Sequence, residues 1–149
     1  MDLHNHREGF TRLERSVLDS KAFRDLKKTP TAMLVLLDFL SFIQWDGKPK
    51  HKGERKTPPR MVNGNRLTYS FAEAERRGIP RGAFNRAITA IIEHGFLSIT
   101  SHGTGLHLSP NVYAWSDAWK FWTGKPVGKR PKSETRRGFT VGNTTGNRF

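Results

Sequence analysis

Residues 70–100 read SFAEAERRGIPRGAFNRAITAIIEHGFLSIT. Ser70 followed three residues later by Glu73 has the form of a capping box, in which each side chain satisfies the other's backbone amide. A short helix over 71–77 is therefore expected, with Phe71 and Ala74 inward and Ala72 as a further inward candidate. Gly78 should end it, since glycine tolerates the left-handed conformation that closes a helix. Ile79 is placed to fill the corner, and Pro80 suits a helix start, where its missing amide hydrogen costs nothing. A second helix over 81–94 then carries Phe84, Ala87, Ile88, Ile91 and Ile92 at steps of three and four, the amphipathic period.

The other side of that second helix carries Arg81, Gly82, Asn85, Arg86 and Thr89. Arginine suits guanine edges, asparagine adenine, and threonine a thymine methyl or a phosphate, so this is the side-chain set of a major-groove reader. Gly82 would allow close backbone approach. Gly95 closes the helix, and Phe96 to Thr100 alternates as a strand. A Gly-rich stretch, His102-Gly103-Thr104-Gly105, leads to a return strand over Val112 to Trp115. Helix, turn, helix and hairpin describe a winged helix. The fold class expected is mainly α with a small β wing (α+β).

Upstream, Ser20 is placed to cap a short helix, Lys21 to Leu26, with Ala22, Phe23 and Leu26 together. Thr29-Pro30 offers a capping hydroxyl followed by proline at the first helical position. TAMLVLLDFLSFI is apolar almost all round, the pattern of a buried central helix. Three regions are expected: a flexible 1–9, a winged-helix domain over 10–122, and a basic disordered tail over 123–149. Residues 46–66, DGKPKHKGERKTPPRMVNGNR, form a basic loop insertion in the domain, with little to bury. The aromatic group Trp115, Trp119, Phe121 and Trp122 is read as packing back on the domain rather than stacking on bases.

Charge narrows the partner. The 149 residues carry 26 Lys and Arg against 13 Asp and Glu, a formal +13 at pH 7. Such an excess self-repels unless the partner is a polyanion, so nucleic acid leads. Cysteine is absent, which removes disulfides, thiol nucleophiles and cysteine zinc sites. MDLHNHREGF lacks an apolar core of signal-peptide length, and the longest apolar run falls short of the roughly 20 residues of a membrane span. A cytoplasmic, nucleoid-associated protein without membrane contact is expected.

The sequence resembles the small winged helix-turn-helix proteins of phages, plasmids and integrated mobile elements, whose members are labelled replication-associated or hypothetical. The resemblance runs from Phe10 to Trp115. It is carried by DSKAFRDL, TPTAMLVLLDFL, NGNRLTYSFAEAERRGIPRGAFNRAI and EHGFLSIT. It implies double-stranded DNA binding, with the second helix in the major groove and the hairpin on backbone or minor groove. Pro80 departs from the Ser or Thr many relatives hold there, and the insertion before NGNR is longer than their usual connection.

Base reading is accordingly assigned to Arg81, Asn85, Arg86 and Thr89. Backbone and wing contacts are assigned to Arg76, Arg77, His102 and Thr104. The insertion adds Lys48, Lys50, Lys52, Arg55, Lys56 and Arg60, and the tail adds Lys129, Arg130, Lys132, Arg136 and Arg137. These arms would raise affinity and its salt dependence without reading sequence. Two other readings stay open: a basic protein binding RNA or a ribonucleoprotein, and a winged-helix interaction module in a larger nucleoprotein assembly. A homodimer or a larger nucleoprotein complex stays open as well.

An enzyme is not expected, and neither a cofactor nor a metal is assigned. His4-Asn5-His6 with Tyr69 or Tyr113 has the residue types of a rolling-circle initiator or relaxase. Those histidines, however, sit at the chain start among charges rather than between the bulky apolar residues of a central strand. Gly124-Lys125-Pro126 lacks the hydroxyl and upstream glycine of a phosphate loop.

Overall fold

Six helical residues can bury only one face, and α2 (Lys21–Leu26) does so with Ala22, Phe23 and Leu26. In the computed structural model, which describes residues 11–46, 59–103 and 110–131, this helix follows a single turn, α1 (Arg15–Leu18). The Ser20 hydroxyl starts α2 by accepting from the Phe23 amide at 3.1 Å. α1 has no counterpart in the sequence reading, because RSVL is too short to show a period.

The next helix, α3 (Pro30–Phe42), starts with proline at its first turn. Thr29 sits at the cap position, but its side chain makes no capping hydrogen bond, so proline's fixed φ sets the start. Ala32, Val35, Leu36, Phe39 and Leu40 are buried, whereas Leu34 stays 57% exposed. The helix is thus covered on one side and open on the other, contrary to the reading of a wholly buried rod. The two short helices before it cannot wrap its whole circumference.

The insertion expected as a loop over 46–66 is partly built. β1 (Trp45–Asp46) pairs antiparallel with β2 (Arg60–Met61), Asp46 opposite Arg60. Asn63 then ties the returning chain to the end of α3. Its side-chain oxygen accepts from the Gln44 amide at 2.7 Å, and its Nδ2 donates to the Phe42 carbonyl at 2.9 Å. The intervening residues, with Lys48, Lys50, Lys52, Arg55 and Lys56, lie outside the described part.

β3 (Leu67–Thr68) leads into α4 (Phe71–Arg76), α5 (Arg81–Glu93), β4 (Leu97–Ser101) and β5 (Val112–Trp115). The capping box at Ser70 is complete: the Glu73 amide donates to the Ser70 hydroxyl at 3.1 Å and Glu73 accepts from the Ser70 amide at 3.3 Å. Gly78 and Gly95 close the two helices at φ of +83° and +89°. Ile79 is buried in the corner between them. Pro80 is the cap residue of α5, one position before the helix proper.

β3, β5 and β4 form one antiparallel sheet in that order. The ladder pairs Leu67 with Tyr113 and Ile99 with Tyr113 on its two sides, and an irregularity lies between Ile99 and Ser101. The chain is therefore mixed α and β with small antiparallel sheets. Phe39 stands at the middle of its aromatic core, edge-to-face with Phe42, Tyr69 and Tyr113 at 6.1, 5.3 and 5.1 Å.

Replacing Ser70 by Ala should cost about 1 kcal/mol, the usual loss for an N-cap hydroxyl. Urea unfolding of the pair measures it, and an unchanged midpoint would mean that the box contributes nothing.

Candidate nucleic-acid interface

α5 is positioned from both ends. Near its start, Phe84 packs against Tyr69 and Phe71, with ring centroids 4.8 and 5.5 Å apart. At its end, the His94 ring bridges two acceptors: Nδ1 faces the Ala90 carbonyl at 2.7 Å and Nε2 faces Asp25 at 2.8 Å. Trp122 stacks on that ring at 5.0 Å. The His94 contact, and after it Lys28, holds the Asp25 carboxyl below its ordinary value. A depressed carboxyl stabilises the fold above its unfolded pKa, and this support is lost as pH falls through the folded value.

The buried side of α5 matches the sequence reading: Phe84, Ala87, Ile88, Ile91 and Ile92. The opposite side does not stand fully open. Arg81 and Arg86 are exposed, with the Arg81 guanidinium 4.3 Å from the Phe71 ring centroid. Asn85 and Thr89 are half-buried. Thr89 Oγ1 donates to the Asn85 carbonyl at 3.2 Å, a local back-bond within the helix. The Asn85 side-chain oxygen is buried with no hydrogen-bond partner among the described residues. In this arrangement Asn85 does not offer the acceptor and donor pair that reads an adenine edge.

The cause is the chain after Trp122. The sequence reading assigned 123–149 to a disordered tail, but residues 123–131 are placed, and part of them lies along α5. The Val127 amide donates to the Glu93 carbonyl at 2.9 Å. Gly128 packs against the Ile92 carbonyl so closely that a Cβ there would run into the oxygen. Arg130 reaches further, donating from Nη1 to the Asn85 carbonyl at 3.0 Å and to Thr89 Oγ1 at 3.2 Å. From Val127 to Arg130 the chain thus passes back along α5 toward its N-terminus. Lys125 and Lys129 are exposed. Lys132, Arg136 and Arg137 lie outside the described residues.

Gly82, Asn85, Arg86, Thr89, Ala90 and Glu93 line an open depression of about 400 Å³ on this side. Glu93 is the one acid of α5, at its last position. The depression is cationic at one end and bounded by a carboxylate at the other.

The remaining assigned residues divide. Arg76 is exposed at the end of α4. Arg77 is drawn onto α3, its Nη1 donating to Asp38 Oδ1 at 3.0 Å, and so does not stand beside Arg76 as a second backbone cation. The other Asp38 oxygen accepts from the Tyr69 hydroxyl at 2.6 Å. His102 is half-buried at the base of the β4–β5 hairpin, where the Gly103 amide donates to Asn111 Oδ1 at 2.7 Å. Thr104 lies outside the described part, as do His4 and His6. Arg60 belongs to β2, paired across from Asp46 rather than placed on α5. Trp119 is buried and stacks on Phe96 at 6.0 Å, while Phe121 is 75% exposed. Trp115 stands on a strand, so these aromatics do not form one helical stripe.

Sequence reasoning missed Arg130 as part of the α5 surface and Asp38 as the partner of Arg77. A signal for the first was available: Val127-Gly128 couples one apolar anchor to a residue without a side chain. For the second there was none, because the pair is 39 residues apart.

Among the described residues no group of three His, Asp or Glu could hold a metal, and no helix is long and apolar enough to cross a membrane. No family model, curated protein or solved structure matches the chain.

Burial pushes both phenols up, Tyr69 with a further rise from its Asp38 hydrogen bond. These are the two tyrosines of the chain. A phenol pKa raised in the folded state stabilises the protein below the unfolded value, about 10, and that support is lost as pH rises beyond it. Absorbance at 295 nm should therefore show little tyrosinate at pH 10, followed by a step that coincides with alkaline unfolding by circular dichroism. A smooth one-proton titration centred on the ordinary value would contradict the burial of these hydroxyls.

Proposed function

We propose that the chain is a winged helix-turn-helix protein that binds double-stranded DNA with sequence preference, as a transcriptional regulator or replication-associated factor of a mobile element. The observation that carries this reading is the helix corner. α4 and α5 meet across Gly78-Ile79-Pro80, and the exposed side of α5 presents Arg81 and Arg86 with no acid before Glu93. The strand order β3-β5-β4 supports it, because a strand preceding the helix pair lies beside the return strand of the hairpin that follows. A wing would have this order.

Dimensions agree. Thirteen residues make α5 about 20 Å long at 1.5 Å per residue, and the major groove, roughly 12 Å wide, admits one helix. Arg81 and Arg86 would face base edges. Arg76, His102 and Lys129 would meet phosphates on either side, fixing orientation without reading sequence. The formal +13 supplies long-range attraction to a polyanion. No catalytic step or cofactor enters the proposal.

Selection from a random duplex pool at two salt concentrations tests it, with structured RNA as competitor. Enrichment of a defined motif that persists at the higher salt is the expected result. Enrichment of nothing, with binding that collapses as salt rises, would reject sequence preference, and preferential loss to RNA would reject duplex as the partner. Within the selected motif, Arg86→Ala should relax one base pair at a cost of about 1–3 kcal/mol. A uniform fall across all sequences would make Arg86 a phosphate contact instead.

A further inference from the structure

The segment after Trp122 crosses the side of α5 proposed to meet DNA, so any duplex docked there must touch it or displace it. Its placement is specific. Val127 is bonded to Glu93, Gly128 fits against Ile92 because it has no Cβ, and Arg130 bridges Asn85 and Thr89. Two occupations of this surface are conceivable. A segment that masks a nucleic-acid site would carry negative charge in place of phosphate. This one carries Lys125, Lys129 and Arg130 and no acid between 124 and 131.

We propose that residues 125–131 are a built part of the nucleic-acid surface, a basic strap that completes the reading side of α5. The inference rests on the duplex-binding reading above and deepens it by naming a further specificity residue. Arg130 takes the place that sequence alone gives to Asn85 and Thr89. Its Nη1 donates to the Asn85 backbone carbonyl and to Thr89 Oγ1, which brings a guanidinium to the same side of the helix as Arg86. The guanidinium keeps donors beyond those two bonds, in a planar fork that matches base-edge and phosphate acceptors. Lys125 and Lys129, both exposed, face phosphates. Glu93 limits the surface at the C-terminal end of α5, where its carboxylate repels phosphate.

The test compares the full chain with three variants on the duplex selected by the wild type, at several salt concentrations. Arg130→Ala keeps the Val127 and Gly128 contacts and removes the cation. It should weaken binding about tenfold, within the range of one specific side-chain contact, and relax preference at one base pair not affected by Arg86→Ala. Lys125→Ala with Lys129→Ala should weaken binding of all duplexes alike and lower the slope of log K against log salt by about two. Gly128→Val should displace the strap and combine both effects. Near-ultraviolet circular dichroism confirms that its core is intact, and Arg130→Ala decides the matter should Gly128→Val not fold.

Unchanged or tighter duplex binding by Arg130→Ala would overturn the inference while leaving the duplex reading in place, the tighter case marking the strap as a mask. A wild-type chain that selects no duplex overturns the duplex reading and this inference with it.

Discussion

The Tyr69 hydroxyl donates to one oxygen of Asp38 while Arg77 donates to the other, and most of the architecture depends on that junction. The Tyr69 ring lies among Phe39, Phe42 and Phe84, so one side chain touches α3 and α5 at once. Through Asp38 the same residue reaches the end of α4. Arg77 lies over the Phe42 ring as well, its guanidinium 5.6 Å from the centroid. α3 is thereby bonded to the chain on both sides of α4, through Tyr69 before it and Arg77 after it.

The far end of α5 is held by different chemistry. His94 ties the helix to Asp25 on α2, Trp122 covers its ring, and the Trp119 amide donates to the Gly95 carbonyl at 3.1 Å. With aromatic and backbone contacts at both ends, the outward side of the helix is covered, among the described residues, by the strap alone. On the groove-binding reading proposed for α5, such fixation would pre-set its side chains and lower the entropy lost on binding.

What sequence shows and what it hides follow from range. The Ser70–Glu73 box, the Gly78 closure, the Ile79 plug and the apolar period of α5 involve residues within a few positions of one another, and all are legible. The Asn63 clamp on Phe42 and Gln44 and the Tyr69–Asp38 bond join residues 19 to 31 apart, and composition carries no trace of them. The exposure of Leu34 was hidden for another reason, since an all-round apolar helix shows no direction and its open side depends on how much protein is available to cover it. The strap misleads most. GKPVGKRP has the charge and proline content of a solvated tail, yet it is anchored through backbone bonds, a missing Cβ and one arginine, and only Val127 beside Gly128 marks it in the sequence.

The strap also bears on why so basic a chain folds at all. Arg130 binds within one residue of Arg86 along α5, and two like charges in water repel by about 1 kcal/mol at 4 Å. One helix carbonyl and a hydroxyl offset that repulsion by accepting from the guanidinium, so among the described residues the cation is held without a carboxylate to neutralise it. An arginine anchored by neutral acceptors keeps its full charge toward solvent, whereas one paired like Arg77 does not. The fold thus sorts its arginines. Arg77 is neutralised where it holds helices together, while Arg81, Arg86 and Arg130 stay charged on one side of one helix. Gathering cations there costs stability in isolation. On the duplex-binding reading proposed above, phosphates would remove that cost, and salt, which screens repulsion as well as attraction, would act on both.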